Sequence, residues 1–251
     1  MNNILIKVEN LVKTFGGLVA LNDCSLEIKD KAITGIIGPN GSGKTTLFNV
    51  ITGNLKPDTG KVFYNGVEIT NEESHDLFHL GVLRTFQIAH EFSNMTVIEN
   101  LMVVPGNQKG EKLLYSLMNS QKIKKEDELI KDKAMEVLKF LKIEHLKNER
   151  AGNLSGGQKK LLELARTMMV DAKIVFLDEV GAGVNKTLLR DISDSILKLN
   201  QDKGYTFCMI EHDFNFISEL CDPVIVLAEG SVLFKGSAEE VKSNEQVIES
   251  Y

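Results

Sequence analysis

The chain is poor in the residues that staple, stiffen or anchor a fold. It carries three cysteines in 251 residues, Cys24, Cys208 and Cys221. They are odd in number, widely spaced and mostly in apolar company, so they fit reduced core thiols better than disulfides or a metal site. Four prolines, with 43% hydrophobic and 25% charged residues, describe an ordinary globular chain, not a disordered or collagen-like one. No apolar segment approaches the ~20 residues that cross a bilayer. The start, Met1-Asn2-Asn3-Ile4-Leu5-Ile6-Lys7-Val8, lacks a basic stretch followed by a long apolar one, so the chain is expected to stay in the cytosol. Basic charge is not in surplus either: 29 Lys and Arg stand against 35 Asp and Glu, a net charge of −6, which argues against broad nucleic-acid binding. Internal repeats and low-complexity segments are also missing.

What is present begins with Gly38-Pro39-Asn40-Gly41-Ser42-Gly43-Lys44-Thr45, a full match to the phosphate-loop pattern G-x-x-x-x-G-K-[ST]. Its glycines let the backbone curl around an anion so that successive N–H groups replace the water that phosphates lose. Lys44 adds a point charge, and Thr45 offers a hydroxyl to Mg²⁺, a hard cation that prefers oxygen. The context is right as well. Ala32–Ile37 is a short apolar run with β-branched residues, and Thr46-Leu47-Phe48-Asn49-Val50-Ile51 continues at helical spacing. Strand, loop and helix place phosphates at a helix N-terminus, where free N–H groups and the macrodipole favour negative charge.

Around this loop the pattern predicts strands at Ile4–Val8 and Cys24–Ile28 with a turn at Gly16-Gly17, and a hairpin over Gly60–Ile69 turning at Asn65-Gly66. These strands form an antiparallel layer. Phe15 lies at its turn, where the ring either stacks on a base or packs in the core. Residues 71–150 are richer in helix, with periodicity at Glu72–Leu80 and Asp127–Leu141. His75 and His79 share the i, i+4 spacing of metal-binding helices but have no third ligand, and are read as surface or packing histidines. Beyond residue 159 the rhythm is that of a parallel sheet: helix at about Lys159–Met169, strand at Lys173–Asp178, helix near Leu188–Asn200, strand at Tyr205–Glu211 and a further run at Val224–Leu227.

Two more constellations carry chemistry. Ile174-Val175-Phe176-Leu177 ends in Asp178-Glu179, so a buried strand delivers two carboxylates at its C-terminal end, where ligands bind in open α/β sheets. Asp178 is suited to hold Mg²⁺ and Glu179 to polarise an attacking water. Leu154-Ser155-Gly156-Gly157-Gln158 opens a helix with an apolar stripe at Leu161, Leu164, Ala165 and Met168, and forms another anion-seeking helix start.

The order of phosphate loop, Gln87, Leu154-Ser155-Gly156-Gly157-Gln158, Asp178-Glu179 and His212 resembles the ATP-binding cassette (ABC) ATPases along essentially the whole chain. The resemblance implies an α/β P-loop NTPase fold of RecA-like type. It has a mostly parallel sheet core, an antiparallel β layer and an inserted helical subdomain at about 88–159 within one domain spanning 1–251. It implies ATP and Mg²⁺ as ligands. Phe15 would stack on adenine, while Gly38, Pro39, Asn40, Gly41, Ser42, Gly43, Lys44, Thr45 and Thr46 hold the nucleotide. Thr45, Gln87 and Asp178 would hold the metal, and Gln87, Glu179 and His212 would serve catalysis. In the family two cassettes meet head to tail, so Ser155, Gly156, Gly157 and Gln158 would contact the ATP of the facing subunit. Two departures are visible: Asn185 stands where the family usually has Asp, and Val180 where Pro commonly follows the catalytic Glu.

Finer marks look like the ATP-binding subunits of branched-chain amino-acid importers: Phe15–Leu21, Arg84-Thr85-Phe86-Gln87, Met95–Asn100 and the ending Val247–Tyr251. Lipopolysaccharide-export and urea- or amide-uptake ATPases share parts of this set, and soluble cassettes without a transport role form a further alternative. The resemblance implies permease subunits as partners, a second cassette that is identical or related, a separate solute-binding protein, and a place on the cytoplasmic face of the membrane. Ile88–Asn100 would form the groove that receives a helix of the membrane subunit.

Overall fold

Five consecutive buried residues, Ile33–Ile37, form the strand on which the rest is hung, as expected of a strand covered on both faces. The structure, a computed structural model, describes residues 3–85, 91–106, 108, 110 and 120–250. The described elements run in the order β1 Ile4–Phe15, β2 Leu18–Lys29, β3 Ile33–Ile37, α1 Lys44–Ile51, β4 Thr59–Tyr64, β5 Val67–Glu68, α2 Ser74–His79, β6 Val82–Arg84, α3 Val97–Met102 and α4 Ser120–Phe140. They continue with α5 Gly156–Met168, β7 Ile174–Asp178, α6 Lys186–Lys203, β8 Thr206–Ile210, α7 Phe214–Leu220, β9 Val224–Ala228, β10 Ser231–Gly236, α8 Ala238–Ser243 and α9 Glu245–Glu249. They fall into two compact units: Met1–Gln87, Lys173–Ala182 and Ile196–Tyr251 in the first, Ile88–Ala172 and Gly183–Ser195 in the second.

The first unit holds two sheets. One is antiparallel, in the order β2-β1-β4-β5; the other has six strands in the order β10-β9-β3-β8-β7-β6. In the second sheet β9, β3, β8, β7 and β6 are parallel, and β10 closes the edge antiparallel to β9. Parallel neighbours bring all their C-terminal ends to one side. Helix α1 shares a single buried cluster with both sheets: Leu47, Phe48 and Ile51 lie with Ile6, Val8, Leu26, Ile28 and Val62 of the antiparallel layer and with Ile36, Phe176, Cys208 and Ile210 of the parallel one. Phe48 meets Phe176 edge to face at 5.0 Å between ring centres. Each such side chain stabilises by roughly 1.5–3 kcal/mol through burial, so α1, and the loop that precedes it, are pinned by packing. All three cysteines are free and buried, and burial raises each thiol above its usual pKa, Cys24 to about 12.

The second unit is helical. Val97 and Leu101 of α3, Ala134, Val137 and Leu138 of α4, and Leu161, Leu164 and Ala165 of α5 are buried, and the three helices pack on one another. The amide of Asn100, fully buried, binds the backbone of Phe92 from both ends, which ties the approach segment to α3.

The expected strands and helices are present, with some longer than the pattern suggested. β1 and β2 extend over the whole of Ile4–Phe15 and Leu18–Lys29 because register shifts let polar and apolar stretches join one ladder. The helix-rich reading of 71–150 overlooks β6. Three residues are too few to show alternation, and Val82-Leu83-Arg84 becomes a strand only because β7 lies beside it. His75 and His79 sit on the short, mostly exposed α2 with their rings edge to face, in keeping with surface histidines.

Candidate functional site

The loop Gly38–Thr45 leaves the C-terminal end of β3 and enters α1 at Lys44. Gly43 occupies the N-cap with φ +98, and a Cβ there would meet the carbonyl oxygen of Ala20 at 2.4 Å. A Cβ on Gly38 would meet the carbonyl oxygen of Leu227 at 2.1 Å. Neither position accepts another residue without moving backbone, so the cradle is fixed by its neighbours as well as by its own turns. The Nζ of Lys44 donates to the carbonyls of Gly38 at 2.8 Å and Pro39 at 2.9 Å, inside the curl of the loop. Burial lowers the pKa of this ammonium, and the nearby carboxylates of Glu179 and Asp178 oppose the shift. Thr45 is exposed at the first turn of α1, with Thr46 half-buried beside it.

The carboxylates arrive from two strands away. Asp178 ends β7 and is buried, and Glu179 follows with φ +50, a conformation that strains a non-glycine residue by about 1–3 kcal/mol. Glu179 is held there by its backbone N–H, which donates to Ile210 at 3.0 Å. β8 lies between β3 and β7 and delivers Glu211 and His212 just past its end. The Nε2 of His212 lies 3.0 Å from Oε1 of Glu179. An ionised carboxylate only accepts, so Nε2 carries the proton in this contact. Buried Glu211 accepts from the backbone N–H of Gly181 at 2.7 Å, linking β8 to the loop after Glu179. Burial raises the pKa of Glu211, while the N–H groups of Gly181 and His212 pull it back.

At the end of β1, the ring of Phe15 is 48% exposed, with the Nζ of Lys13 5.8 Å from its centre. Asp58 fastens this strand end: it accepts from Lys13 Nζ, Thr14 N and Thr14 Oγ1, each at 2.7 Å. In the second unit Ser155 caps α5 through a reciprocal box, Gln158 N donating to Ser155 Oγ and Ser155 N donating to Gln158 Oε1. The two glycines between them differ. A Cβ on Gly157 would come within 2.2 Å of Leu188 Cδ2, whereas one on Gly156 would meet nothing within 4 Å.

A phosphate loop, a strand-end carboxylate pair and a histidine meet at one edge of a parallel sheet, and the ABC transporter family model matches residues 21–182 of this chain. The chain belongs to the ABC transporter family. A protein of Archaeoglobus fulgidus, named as probable branched-chain amino acid transport ATP-binding protein LivG, is 42% identical over 98% of this chain and 95% of its own length. The protein of the same name in Methanocaldococcus jannaschii is 43% identical, over 98% of this chain and 96% of its own. Among solved structures, the ADP conformation of an ATP-binding cassette of an ABC transporter superposes with a TM-score of 0.84 at 40% identity, covering 99% of this chain and 98% of that one. A dimeric structure of a bacterial ABC transporter cassette gives a TM-score of 0.77 at 25% identity over 93% and 99% of the two chains.

Of the residues singled out in the sequence of this ABC protein, the structure brings Lys44, Asp178, Glu179 and His212 to one sheet edge, with Phe15 on the neighbouring antiparallel layer of the same unit. Gln87 lies outside the described residues, as do Ile88, Ala89 and His90 at the start of the expected docking groove. Asn185 accepts from Leu188 N at 3.0 Å, so it caps α6 where the resemblance expected an acid. Val180 is buried, a use of that position that needs no proline. Sequence reading gave no site role to Arg84, which entered only as a family mark, nor to Asn49 or Glu211. Arg84 is paired with Asp178 at 2.8 Å and also donates to Asn49 on α1. A charged residue closing a short apolar run, as in Val82-Leu83-Arg84, was the available signal.

The donor set suits a metal that arrives with phosphates. Among the described residues no three His, Cys, Asp or Glu side chains gather as a metal cage. Mg²⁺ bound beside phosphate needs only one or two protein oxygens and keeps waters for the rest, which the Thr45 hydroxyl and Asp178 carboxylate can provide.

Proposed function

We propose that this chain is the ATP-hydrolysing subunit of an ABC transporter, and that the solute its membrane partners import is a branched-chain amino acid. The observation that carries the reading is the convergence of the β3 loop, Asp178-Glu179 and His212 at one sheet edge, with Glu179 and His212 in direct contact. Similarity over almost the full length to two proteins named for branched-chain amino acid transport supports the solute class.

The loop N–H groups and Lys44 bind the phosphates, and Phe15 offers its exposed face to the base. Thr45, Gln87 and Asp178 would hold Mg²⁺, which would neutralise charge on the phosphates. Glu179 accepts the proton of the attacking water. His212, donating from Nε2, keeps Glu179 turned toward that water and reaches the γ-phosphate. Ser155, Gly156, Gly157 and Gln158 face the nucleotide of a second cassette, identical or related, so that closure of the pair completes both sites. Loss of the γ-phosphate removes the bridge between the two cassettes, and opening is passed to the permease subunits. By its likeness to transport ATP-binding proteins the chain acts from the cytoplasmic face as a peripheral subunit, with a separate solute-binding protein delivering the amino acid; among the described residues no helix is long and apolar enough to cross a membrane.

Glu179→Gln tests the reading. ATP binding stays close to wild type, turnover falls by about 10²–10⁴-fold, and a closed dimer accumulates with ATP in size-exclusion chromatography. A variant that stays monomeric and hydrolyses at the wild-type rate overturns the role of Glu179. Recovery of permease subunits with the chain from membranes, and ATPase stimulation by leucine, isoleucine or valine in the reconstituted complex, test the transport assignment.

A further inference from the structure

We propose that Arg84 is a positioning residue that fixes the orientation in which Asp178 meets the nucleotide-bound metal; the inference rests on the nucleotide site proposed above. The guanidinium and the carboxylate are both almost sealed from solvent, at 8% and 3% side-chain exposure, and Arg84 Nη2 donates to Asp178 Oδ2 at 2.8 Å. Nη1 donates to Oδ1 of Asn49, on the helix that begins with Lys44. One planar fork therefore spans the phosphate-loop helix and the carboxylate strand, with its carbon 5.7 Å from the centre of the Phe48 ring.

Three further details favour orientation over bulk stability. The Nε of Arg84 is buried with no hydrogen-bond partner among the described residues, so the group sits where its two ends are needed and not where its own donors are all satisfied. Thr85 repeats the tie in backbone form: its N–H donates to the carbonyl of Phe176 at 2.9 Å, and Asp178 N donates to Thr85 Oγ1 at 3.4 Å. The end of β6, three residues before Gln87, is thus stitched to the end of β7. Finally, Oδ2 of Asp178 is committed to Arg84, whereas Oδ1 accepts no hydrogen bond among the described residues. With one oxygen held, the carboxylate cannot rotate, and the other is the one presented. Mg²⁺ demands near-ideal octahedral geometry, so a fixed oxygen matters more to it than to a looser cation.

Electrostatics and geometry predict opposite signs here, which makes the proposal decidable. As a mere positive neighbour, Arg84 competes with the metal for Asp178, and removing it tightens metal binding. As a positioning residue it favours metal binding, and removing it loosens that binding. The experiment compares the wild-type full chain with Arg84→Met, Arg84→Lys and Asn49→Ala. It measures the affinity for the non-hydrolysable ATP analogue AMP-PNP by direct titration in EDTA and in Mg²⁺, and the free Mg²⁺ that half-saturates ATP hydrolysis. Arg84→Met is expected to leave metal-free binding unchanged and to raise the Mg²⁺ requirement by about tenfold, the scale seen when a group orienting a metal ligand is removed. Arg84→Lys, which keeps charge but cannot fork, recovers part of the loss. Asn49→Ala, which leaves both charges and frees one arm, gives a smaller rise and serves as the deciding variant if Arg84→Met does not fold. An unchanged or lowered Mg²⁺ requirement in the folded variants, whatever their melting temperature, overturns the proposal. Failure of wild type to bind AMP-PNP or hydrolyse ATP is a different result, and counts against the nucleotide site itself.

Discussion

The two units build their candidate nucleotide contacts in opposite ways. In the first, the phosphate loop closes on itself through Lys44, but the links among the carboxylates, the histidine and the arginine join residues far apart in sequence: Glu179 to His212 across 33 positions, Gly181 to Glu211 across 30 and Arg84 to Asp178 across 94. In the second, Ser155 and Gln158 cap each other across three positions and need nothing beyond their own helix start. A site of the first kind exists only when the strand order is right. A site of the second kind is written directly in the chain, and its polar groups are satisfied locally. The comparison suggests a division of labour in which the first unit holds a nucleotide by itself and the second presents a preformed helix end to another molecule.

The largest expected effect breaks the first half of this comparison. Lys44→Ala removes the charge at the centre of the loop together with the donor that the carbonyls of Gly38 and Pro39 share. ATP affinity of the isolated chain is expected to fall, and kcat/KM by about 10²–10³-fold, the range for losing one preorganised electrostatic contact. Undiminished affinity in a direct titration would remove Lys44 from the cradle.

The second unit predicts a different profile, and its two glycines separate packing from function. Gly157→Ala drives a methyl into Leu188 and is expected to lower stability by about 1–3 kcal/mol. Gly156→Ala adds a methyl to open space and leaves the melting temperature near wild type. Both are expected to leave ATP affinity of the isolated chain unchanged while lowering turnover of the assembled complex, because in the proposed dimer their surface faces the partner's nucleotide. If Gly156→Ala hydrolyses ATP normally in the complex, that face does not meet nucleotide.

This contrast also explains what could be read beforehand. The phosphate loop, the Ser155–Gln158 helix start, the long helices and most of the strands are contiguous patterns, and each is legible as a string. Asp178-Glu179 was legible because a buried strand ending in acids is unusual. That His212 lies against Glu179 follows from β8 sitting between β3 and β7, an order that no local pattern states; the resemblance, not the spacing, placed it. β6 was hidden for the same reason, being a strand only by virtue of its neighbour, and the pairing of Arg84 with Asp178 was hidden with it. Asn185 shows the reverse case, where a residue marked as a departure has a simple local use as a helix cap.

The smallest expected effect concerns Glu211, which like Arg84 belongs to the distributed site but touches no nucleotide in the proposed mechanism. Its carboxylate is buried between the N–H groups of Gly181 and His212, with the charges of Glu179 and His212 and the Cys221 thiol nearby. Burial is the larger influence, so its pKa is raised on folding. The folded state then binds its proton more tightly than the unfolded chain, and stability falls as pH rises from the ordinary carboxylate value through the raised one. Glu211→Gln keeps an acceptor for Gly181 but has no charge to bury. The variant is therefore expected to gain stability over wild type as pH climbs through that window and to hold a constant small advantage above it, read as the difference in melting temperature across a pH series. Turnover should fall modestly, because a neutral acceptor holds the loop after Glu179 less firmly than an ionised one. A variant less stable than wild type by the same amount at every pH would mean that the hydrogen bonds to Gly181 and His212 outweigh the burial of the charge. The link between β8 and that loop would then be a source of stability and not a strain carried for the sake of the site.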